Sequence, residues 1–431
     1  MKRLTATFSG YLLLLSLAMS LLSAIGHLFD SYWAGIPIWL ATFLFFPHLK
    51  SSQKKQVILL LSLGIIGLVY GSFHQLNTEY VLRAIAANQM VVTMLVGVGF
   101  LKLFATEPTM TEKPLPIGKR SLIKTLVGVH LFGSVLNMSS VLIVGDKLAH
   151  RGPVTVTQGV TLLRGFAICA FWSPFFAAMG MALTNAPGAQ LSTLIMYGIP
   201  TSIAALFLSA WDIVRQPNVD KLAGYPINIY SLWMPALLAT IVIVAHLIWP
   251  NISVLSLVSL TSLVFIGLWL ALNEGRQAIT ITKDHIHSGI ARSAGEVTLF
   301  ASAAMLAAGV ATLLSSLDLK LAPQHFGAMA AVITLLILII LAVTGMHPVT
   351  SVVIAGSILA PSVTDPNLLG LTLLMGWSLG ITLSPFSGVQ LSIQSRYHIS
   401  SYELFKHNWR YVLFMYGVCV MTLSVYAHLN A

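Results

Sequence analysis

The sequence predicts an all-α polytopic membrane protein with about 11 transmembrane helices and two re-entrant hairpins, arranged as two inverted repeats. Hydrophobic residues make up 57% of the 431 positions, charged residues make up 8%, and the mean hydropathy is +0.86. Soluble domains carry about 25% charged residues, so this composition excludes an ordinary soluble fold. The net charge of +10 does not indicate a nucleic-acid partner, because the basic residues form short clusters between apolar runs.

The predicted spans follow from the length of the apolar runs, since a transmembrane helix needs about 20 apolar residues. Candidate runs cover residues 9–28, 33–48, 57–72, 85–105, 121–145, 190–210, 231–249, 253–272, 297–317, 326–344 and 411–428. Two further apolar stretches, 154–188 and 362–392, are interrupted by Gly, Pro and Asn. They predict re-entrant hairpins, with an ordinary kinked span as the alternative.

Basic residues predict the loops that lie in the cytoplasm. With a cytoplasmic amino terminus, and with each hairpin entering and leaving on one side, the inner loops hold Lys50, Lys54, Lys55, Lys113, Lys119, Arg120, Arg215, Lys221, Arg276, Lys283, Arg292, Arg396, Lys406 and Arg410. One loop disagrees, because Lys147 and Arg151 fall outside.

Short motifs occur twice in the same order. The first set is "SVLIVG" (140–145), Trp172-Ser173 and "GAQLS" (188–192), and the second is "SVVIAG" (351–356), Trp377-Ser378 and "GVQLS" (388–392). The register at the centre stays open, because Ser173-Pro174-Phe175 aligns either with Ser378 or with Ser384-Pro385-Phe386. The half that begins near 57 starts inside and the half that begins near 253 starts outside, so the repeats are expected to be inverted.

This pattern divides the chain into four regions. They are two N-terminal helices (1–56), a first repeat (57–212) with hairpin 154–188, a linker helix (213–252), and a second repeat (253–431) with hairpin 362–392.

Inverted repeats with paired interrupted segments are typical of secondary transporters, whose substrate and coupling ion bind near the bilayer midplane. A broken helix frees carbonyl groups for a cation and N–H groups for an anion, which an unbroken helix does not. We therefore expect the two hairpin tips to meet at one site, with Gln190 and Gln390 close together.

The motif "LSPFSGVQLS" is similar to the Leu-Thr-Pro-Pro-x-Gly-x-x-Leu tip of TRAP permeases, and Ser384, Pro385 and Gly388 match in kind. "WSPFFAA" is similar to their Thr-Pro-Thr-Glu-Ala-Ala, with Phe175 and Phe176 in the places of Thr and Glu. In layout, residues 57–428 resemble the ion transporter superfamily, especially the large permease of TRAP dicarboxylate transporters and the citrate and arsenite carriers. The resemblance implies a multi-pass protein of the bacterial inner membrane.

Candidate site residues come from the interrupted segments. Expected substrate-binding residues are Ser173, Pro174, Asn185, Gly188, Gln190, Ser192, Ser384, Pro385, Ser387, Gly388, Gln390, Ser392 and Arg164. Expected coupling-ion residues are Asn137, Ser140, His347, Thr350 and Ser351. No catalytic residue and no metal site are expected, and sodium is the one cofactor considered.

Charged residues inside apolar segments are costly in a membrane and usually functional. Arg164 either faces an anionic substrate or extends its side chain so that the guanidinium reaches the membrane–water interface. Asp146 is either an ion ligand or an interfacial cap, and His347 either carries a coupling proton or is a hydrogen-bonded residue at the kink before Pro348.

The sequence therefore predicts a secondary active transporter that moves a small, carboxylate-like anion, coupled to sodium or protons, and not an enzyme. The expected partners are the anionic substrate and membrane lipid, with a homodimer or accessory subunits as further options and without nucleic acid. Two alternatives remain: a membrane enzyme acting on lipid-linked glycans, and a non-transporting accessory membrane protein.

Overall fold

The computed structural model describes residues 3–74, 77–104, 115–225, 233–319, 321–323 and 325–430, which form helices and no β-strand. The predicted all-α class is confirmed. The first ten helices are α1 (Arg3–Gly26), α2 (Gly35–Phe45), α3 (Ser51–Ser72), α4 (Thr78–Ala86), α5 (Gln89–Gly99), α6 (Lys119–Leu136), α7 (Ser139–Ala149), α8 (Val156–Ala167), α9 (Ala177–Asn185) and α10 (Leu191–Ile213).

The remaining nine helices complete the described chain. They are α11 (Trp233–Ile248), α12 (Val254–Glu274), α13 (Gln277–Asp284), α14 (Ala294–Ser316), α15 (Ala328–Val343), α16 (Pro348–Leu359), α17 (Pro366–Leu383), α18 (Gly388–Tyr397) and α19 (Ser401–Leu429).

By length and composition, 8 helical segments of the described chain can cross a membrane, so the protein is a multi-pass membrane protein. Several of the predicted spans are shorter than a bilayer requires. Within the described residues, the α-helices in the runs 33–48, 231–249 and 326–344 have 11, 16 and 16 residues, and the run at 121–145 is divided between α6 and α7.

The chain forms two compact units. Unit 1 contains residues 1–107, 240–322 and 353–361, and unit 2 contains residues 108–239, 323–352 and 362–431. Each of the two expected repeats contributes to both units. The predicted boundaries at 56, 212 and 252 stay a prediction.

In unit 1, α3 and α14 cross with their backbones in contact. A Cβ atom at Gly64 would lie 2.4 Å from the carbonyl oxygen of Met305, and one at Gly67 would lie 2.3 Å from that of Gly309. Small residues allow membrane helices to approach this closely, where van der Waals packing replaces the hydrophobic effect.

In unit 2, α10 gives a reference direction for the helices packed against it. Near its start, Gly198 lies against Phe171, and further along, the Ser202 hydroxyl bonds the carbonyl of Ile168 at 3.4 Å. Near its end, Asp212 pairs with Arg164 at 2.7 Å. Helix α8 therefore runs antiparallel to α10.

The segment 154–188 crosses unit 2 and does not return. Its first helix, α8, begins before Arg164 in sequence and therefore lies beside the C-terminal end of α10. Residue 188, by contrast, leads directly into the N-terminal end of α10. Helix α10 has 23 residues and is about 34 Å long. The prediction of a re-entrant hairpin at 154–188 is wrong, and the kinked-span alternative describes the segment.

The segment 362–392 also crosses. At its start, Asn367 accepts the backbone N–H of Gln190 at 2.6 Å, beside the beginning of α10. At its end, Ile393 packs against Gly159 in the first turns of α8, at the other end of α10. The second predicted hairpin is therefore also a broken span, in which α17 runs antiparallel to α8.

The chain instead turns back between α6 and α7. Helix α6 begins beside the end of α10, where Lys119 lies 3.8 Å from Asp220, and it runs to Asn137. Helix α7 then returns, since Asp146 near its end bonds Arg396 at the end of α18. The predicted span 121–145 is thus a re-entrant helix pair. Asn137 makes the reversal with a φ of 51° and a ψ of −137°, which lies outside the left-handed helical region.

The revised path changes the interpretation of the basic residues. The loop with Lys147 and Arg151 joins α7 to α8 at the same end of unit 2 as Lys119. That end also holds Arg120, Arg215, Lys221, Arg396, Lys406 and Arg410. The loop that contradicted the positive-inside rule now agrees with it, and the rule predicts that this end of unit 2 faces the cytoplasm.

Candidate functional site

The two broken spans share one local geometry at their breaks. At the first break, the Ser173 hydroxyl accepts the N–H of Phe175 at 3.2 Å. At the second, the Ser384 hydroxyl accepts the N–H of Phe386 at 3.3 Å. Helices α9 and α18 each begin four residues after that serine. The structural register therefore pairs Ser173-Pro174-Phe175 with Ser384-Pro385-Phe386.

The counterparts lie 211 positions apart, the same separation as between Ala167 and Ser378. The motifs "SVLIVG" and "SVVIAG" keep this spacing. The pairing of Trp172-Ser173 with Trp377-Ser378 does not keep it, and neither does that of "GAQLS" with "GVQLS". Both of those matches are wrong as structural equivalences, because short apolar motifs recur by composition.

Gln190 and Gln390 are consequently far apart. Gln190 is exposed and bonds Asn367 at the start of α17, whereas Gln390 bonds Ile381 and Thr382 at its end. The intervening 14 residues of α17 span about 21 Å. The expected proximity of the two glutamines is wrong.

The two breaks do not meet. Helices α8 and α17 touch where the Ser378 hydroxyl donates to the carbonyl of Ala167 at 2.8 Å. Ser173 and Ser384 each follow this contact by six residues, in opposite directions. The breaks are therefore about 18 Å apart along the helix axes. A single site shared by both is not present.

The first break is closed by contacts within the protein. The buried Ser173 hydroxyl donates to the carbonyl of Ser134, and the Asn137 side chain donates to the carbonyl of Phe175 at 3.0 Å. Phe175 and Phe176 are 1% and 3% exposed. Pro174 is also buried, and the Ser140 hydroxyl bonds the Asn137 carbonyl at 2.9 Å. The predicted ion ligand Asn137 thus holds the turn between α6 and α7 against the first break.

The second break contains more polar side chains. The Ser387 hydroxyl donates to the carbonyl of Ile381 at 3.0 Å, and the amide nitrogen of Gln390 donates to that of Thr382 at 2.8 Å. Gln390 is fully buried, and its Oε1 has no hydrogen-bond partner among the described residues. An unpaired buried acceptor of this kind is unfavourable unless a donor or a cation occupies the space beside it.

The loop between α15 and α16 lies against the second break. Gly345, with a φ of 107°, would place a Cβ 3.4 Å from the Phe386 ring. In this loop, Nδ1 of His347 accepts the N–H of Val349 at 3.2 Å, and its carbonyl accepts the N–H of Thr350 at 2.8 Å. The Ser351 hydroxyl bonds the Pro348 carbonyl at 3.2 Å. His347, Thr350 and Ser351 are therefore grouped near the second break, as hydrogen-bonded residues of the kink.

Several predicted site residues lie away from both breaks. Asn185 donates to the Met181 carbonyl at 2.8 Å at the end of α9, and Gly188 and Ser192 are exposed beside the start of α10. Ser392 is half-buried in α18, while Pro385 and Gly388 belong to the second break itself. The structure thus brings together Ser384, Pro385, Ser387, Gly388 and Gln390.

Arg164 has a different environment from either of the two that the sequence suggested. It is fully buried, and its Nη1 lies 2.7 Å from Asp212 Oδ2. Its Nε donates to Asn408 at 2.8 Å, and its Nη2 donates to the His407 carbonyl at 2.9 Å. The guanidinium carbon stands 4.2 Å from the Tyr411 ring centroid. Arg164 therefore joins α8, α10 and α19, and Asp212 neutralises its charge.

A second ion pair joins α7 to α18. Arg396 donates to both oxygens of Asp146 at 2.6 Å, and the Tyr397 hydroxyl donates to Oδ1 at 3.0 Å. The sequence predicts either an ion ligand or an interfacial cap at Asp146. No local signal identifies the true partner, which lies 250 residues further along the chain.

No family model matches this chain, and no curated protein matches it either. Among solved structures, it is similar to the crystal structure of the Alcanivorax borkumensis YdaH transporter, at 12% identity and a TM-score of 0.45. That match covers 91% of this chain and 87% of the other.

Proposed function

We propose that the chain is a secondary active transporter that couples a cation to the movement of a small carboxylate-like anion across the cell membrane. The observation that supports it best is the second break, where the fully buried amide oxygen of Gln390 has no partner within the described part of the chain, inside a discontinuous membrane helix. Discontinuous helices in membrane proteins occur where the backbone is buried in protein or lines a ligand site, and the unpaired oxygen favours a ligand site at the second break.

The arrangement of unit 2 supports an inverted repeat as the basis of transport. Helices α8 and α17 run antiparallel and touch at Ala167 and Ser378, which are counterparts in the 211-residue register. Two inverted copies meet in this way when a two-fold axis passes through the contact. Such an axis relates the halves of many secondary transporters.

The chemistry of the second break favours a cation as its first occupant. The amide nitrogen of Gln390 is already bonded to Thr382, so the group that lacks a partner is an oxygen. The hydroxyl of Ser387 and the first turn of α18 are adjacent. Oxygen-rich sites suit sodium, whereas an anion would repel this unpaired acceptor. The anionic substrate would use the N–H groups of α18, which begins at the exposed Gly388.

The first break supplies a matched control. In the 211-residue register, Ser387 corresponds to Phe176 and Gln390 corresponds to Met179. Both counterparts are apolar and buried. The two halves therefore differ at the positions that offer oxygen ligands, and the proposal assigns the coupling cation to the second break alone.

The test is uptake into reconstituted vesicles with sodium and proton gradients imposed separately, screened against dicarboxylates, citrate and sugar acids. We expect gradient-driven uptake of an anion, loss of cation dependence in Gln390→Leu, and wild-type behaviour in Met179→Leu. Preferential uptake of neutral or cationic solutes would refute the assignment. Equal effects of the two substitutions would refute the site at the second break.

A further inference from the structure

On the outer faces of α10 and α19, the exposed side chains change from apolar to basic toward the cytoplasmic end of unit 2. On α10, Ile203 and Phe207 are 62% and 70% exposed, and the same face continues at four-residue intervals to Trp211 and Arg215. On α19, Leu413 and Phe414 are 61% and 64% exposed. Apolar side chains this exposed on a membrane helix face the lipid hydrocarbon.

Three cations stand over aromatic rings where these apolar faces end. The Arg215 guanidinium lies 3.7 Å from the Trp211 ring centroid. The other two pairs lie in the first turns of α19, where Lys406 is 4.6 Å from the Tyr402 ring and Arg410 is 5.2 Å from the Trp409 ring. Trp and Tyr collect at the depth of the lipid headgroups, so these pairs mark the membrane interface.

The three cations are not neutralised by carboxylates. Among the described residues, none of the three forms an ion pair. Asp212, the acidic residue nearest to Arg215 in sequence, is held by Arg164. Glu403, one turn before Lys406, is exposed and forms no ion pair with it. Exposed positive charge beside a lipid-facing surface is complementary to an anionic headgroup.

We propose that Arg215, Lys406 and Arg410, with the rings beneath them, bind the phosphate groups of anionic phospholipids in the cytoplasmic leaflet. The acyl chains would lie along the apolar faces that continue from Trp211 and Trp409. This continuity favours a phospholipid over a free phosphate ion. The inference depends on the orientation of unit 2 and not on the transported substrate.

The test compares phosphatidylglycerol with phosphatidylcholine bound to the purified full chain, counted by native mass spectrometry. The test variant combines Arg215→Gln, Lys406→Gln and Arg410→Gln. A basic residue near the surface changes anionic-lipid binding by about fivefold, so three should weaken phosphatidylglycerol binding by roughly a hundredfold. Binding of phosphatidylcholine should not change.

Two controls keep the result interpretable. Replacing Lys147 and Lys221 by Gln removes basic charge at the same end without touching the aromatic pairs, and should retain more phosphatidylglycerol binding than the triple variant does. A charge-conserving variant with Arg215→Lys and Arg410→Lys should also retain it. Equal retention by the triple variant, equal affinity for the two lipids, or displacement by millimolar inorganic phosphate would overturn the proposal.

Discussion

Arg164 should act on stability and not on substrate affinity. It is fully buried, whereas the side chain of its partner Asp212 is 37% exposed. Arg164→Met removes the buried charge and leaves Asp212 in contact with solvent. We therefore expect the free energy of unfolding to fall by about 2–3 kcal/mol, because the charged hydrogen bonds are lost. Asp212→Asn leaves the buried guanidinium without a carboxylate, and this should cost about 3–5 kcal/mol.

The order of these effects provides the test. The double variant, Arg164→Met with Asp212→Asn, should be more stable than Asp212→Asn alone, because no unpaired charge then remains inside. Thermal unfolding in detergent, followed by tryptophan fluorescence, measures the order, and vesicle uptake measures affinity for the anion. If Arg164→Met leaves the unfolding temperature unchanged but weakens affinity for the anion, then Arg164 faces the substrate and the structural role is refuted.

Three further predictions concern the path and packing of the chain. Cysteines introduced at Ala149 and Pro187 should be labelled from opposite membrane faces. Labelling of both from one face would contradict the crossing span and support a re-entrant hairpin at 154–188. Gly67→Leu should lower the unfolding temperature strongly, because its Cβ would already lie against a carbonyl oxygen of α14; Gly267→Leu in α12, where a Cβ has no atom within 4 Å, should not. Asp146→Asn should cost only about 1 kcal/mol, since its pair with Arg396 is half-exposed, and a loss as large as that of Asp212→Asn would contradict this reasoning.

Charge clusters proved to be the sequence signal that could have corrected the chain path. If 154–188 is a re-entrant hairpin, the loop with Lys147 and Arg151 disagrees with the positive-inside rule. Exchanging the roles of that segment and 121–145 removes the disagreement. Local sequence does not reveal this exchange, because Ser-Pro-Phe is a conspicuous break, whereas the chain reverses at the single residue Asn137.

The sequence by itself determined the membrane environment, the helical class and the positions of the breaks, because each depends on composition and backbone preference within about 20 residues. Only the tertiary structure decided which break reverses the chain, since a break permits a change of direction without specifying it. It also decided the partners of Arg164, at Asp212 and Asn408, and it buried the Gln390 amide oxygen without a hydrogen-bond partner among the residues that the structure describes. Those contacts join residues far apart in sequence, and local preference carries no information about them.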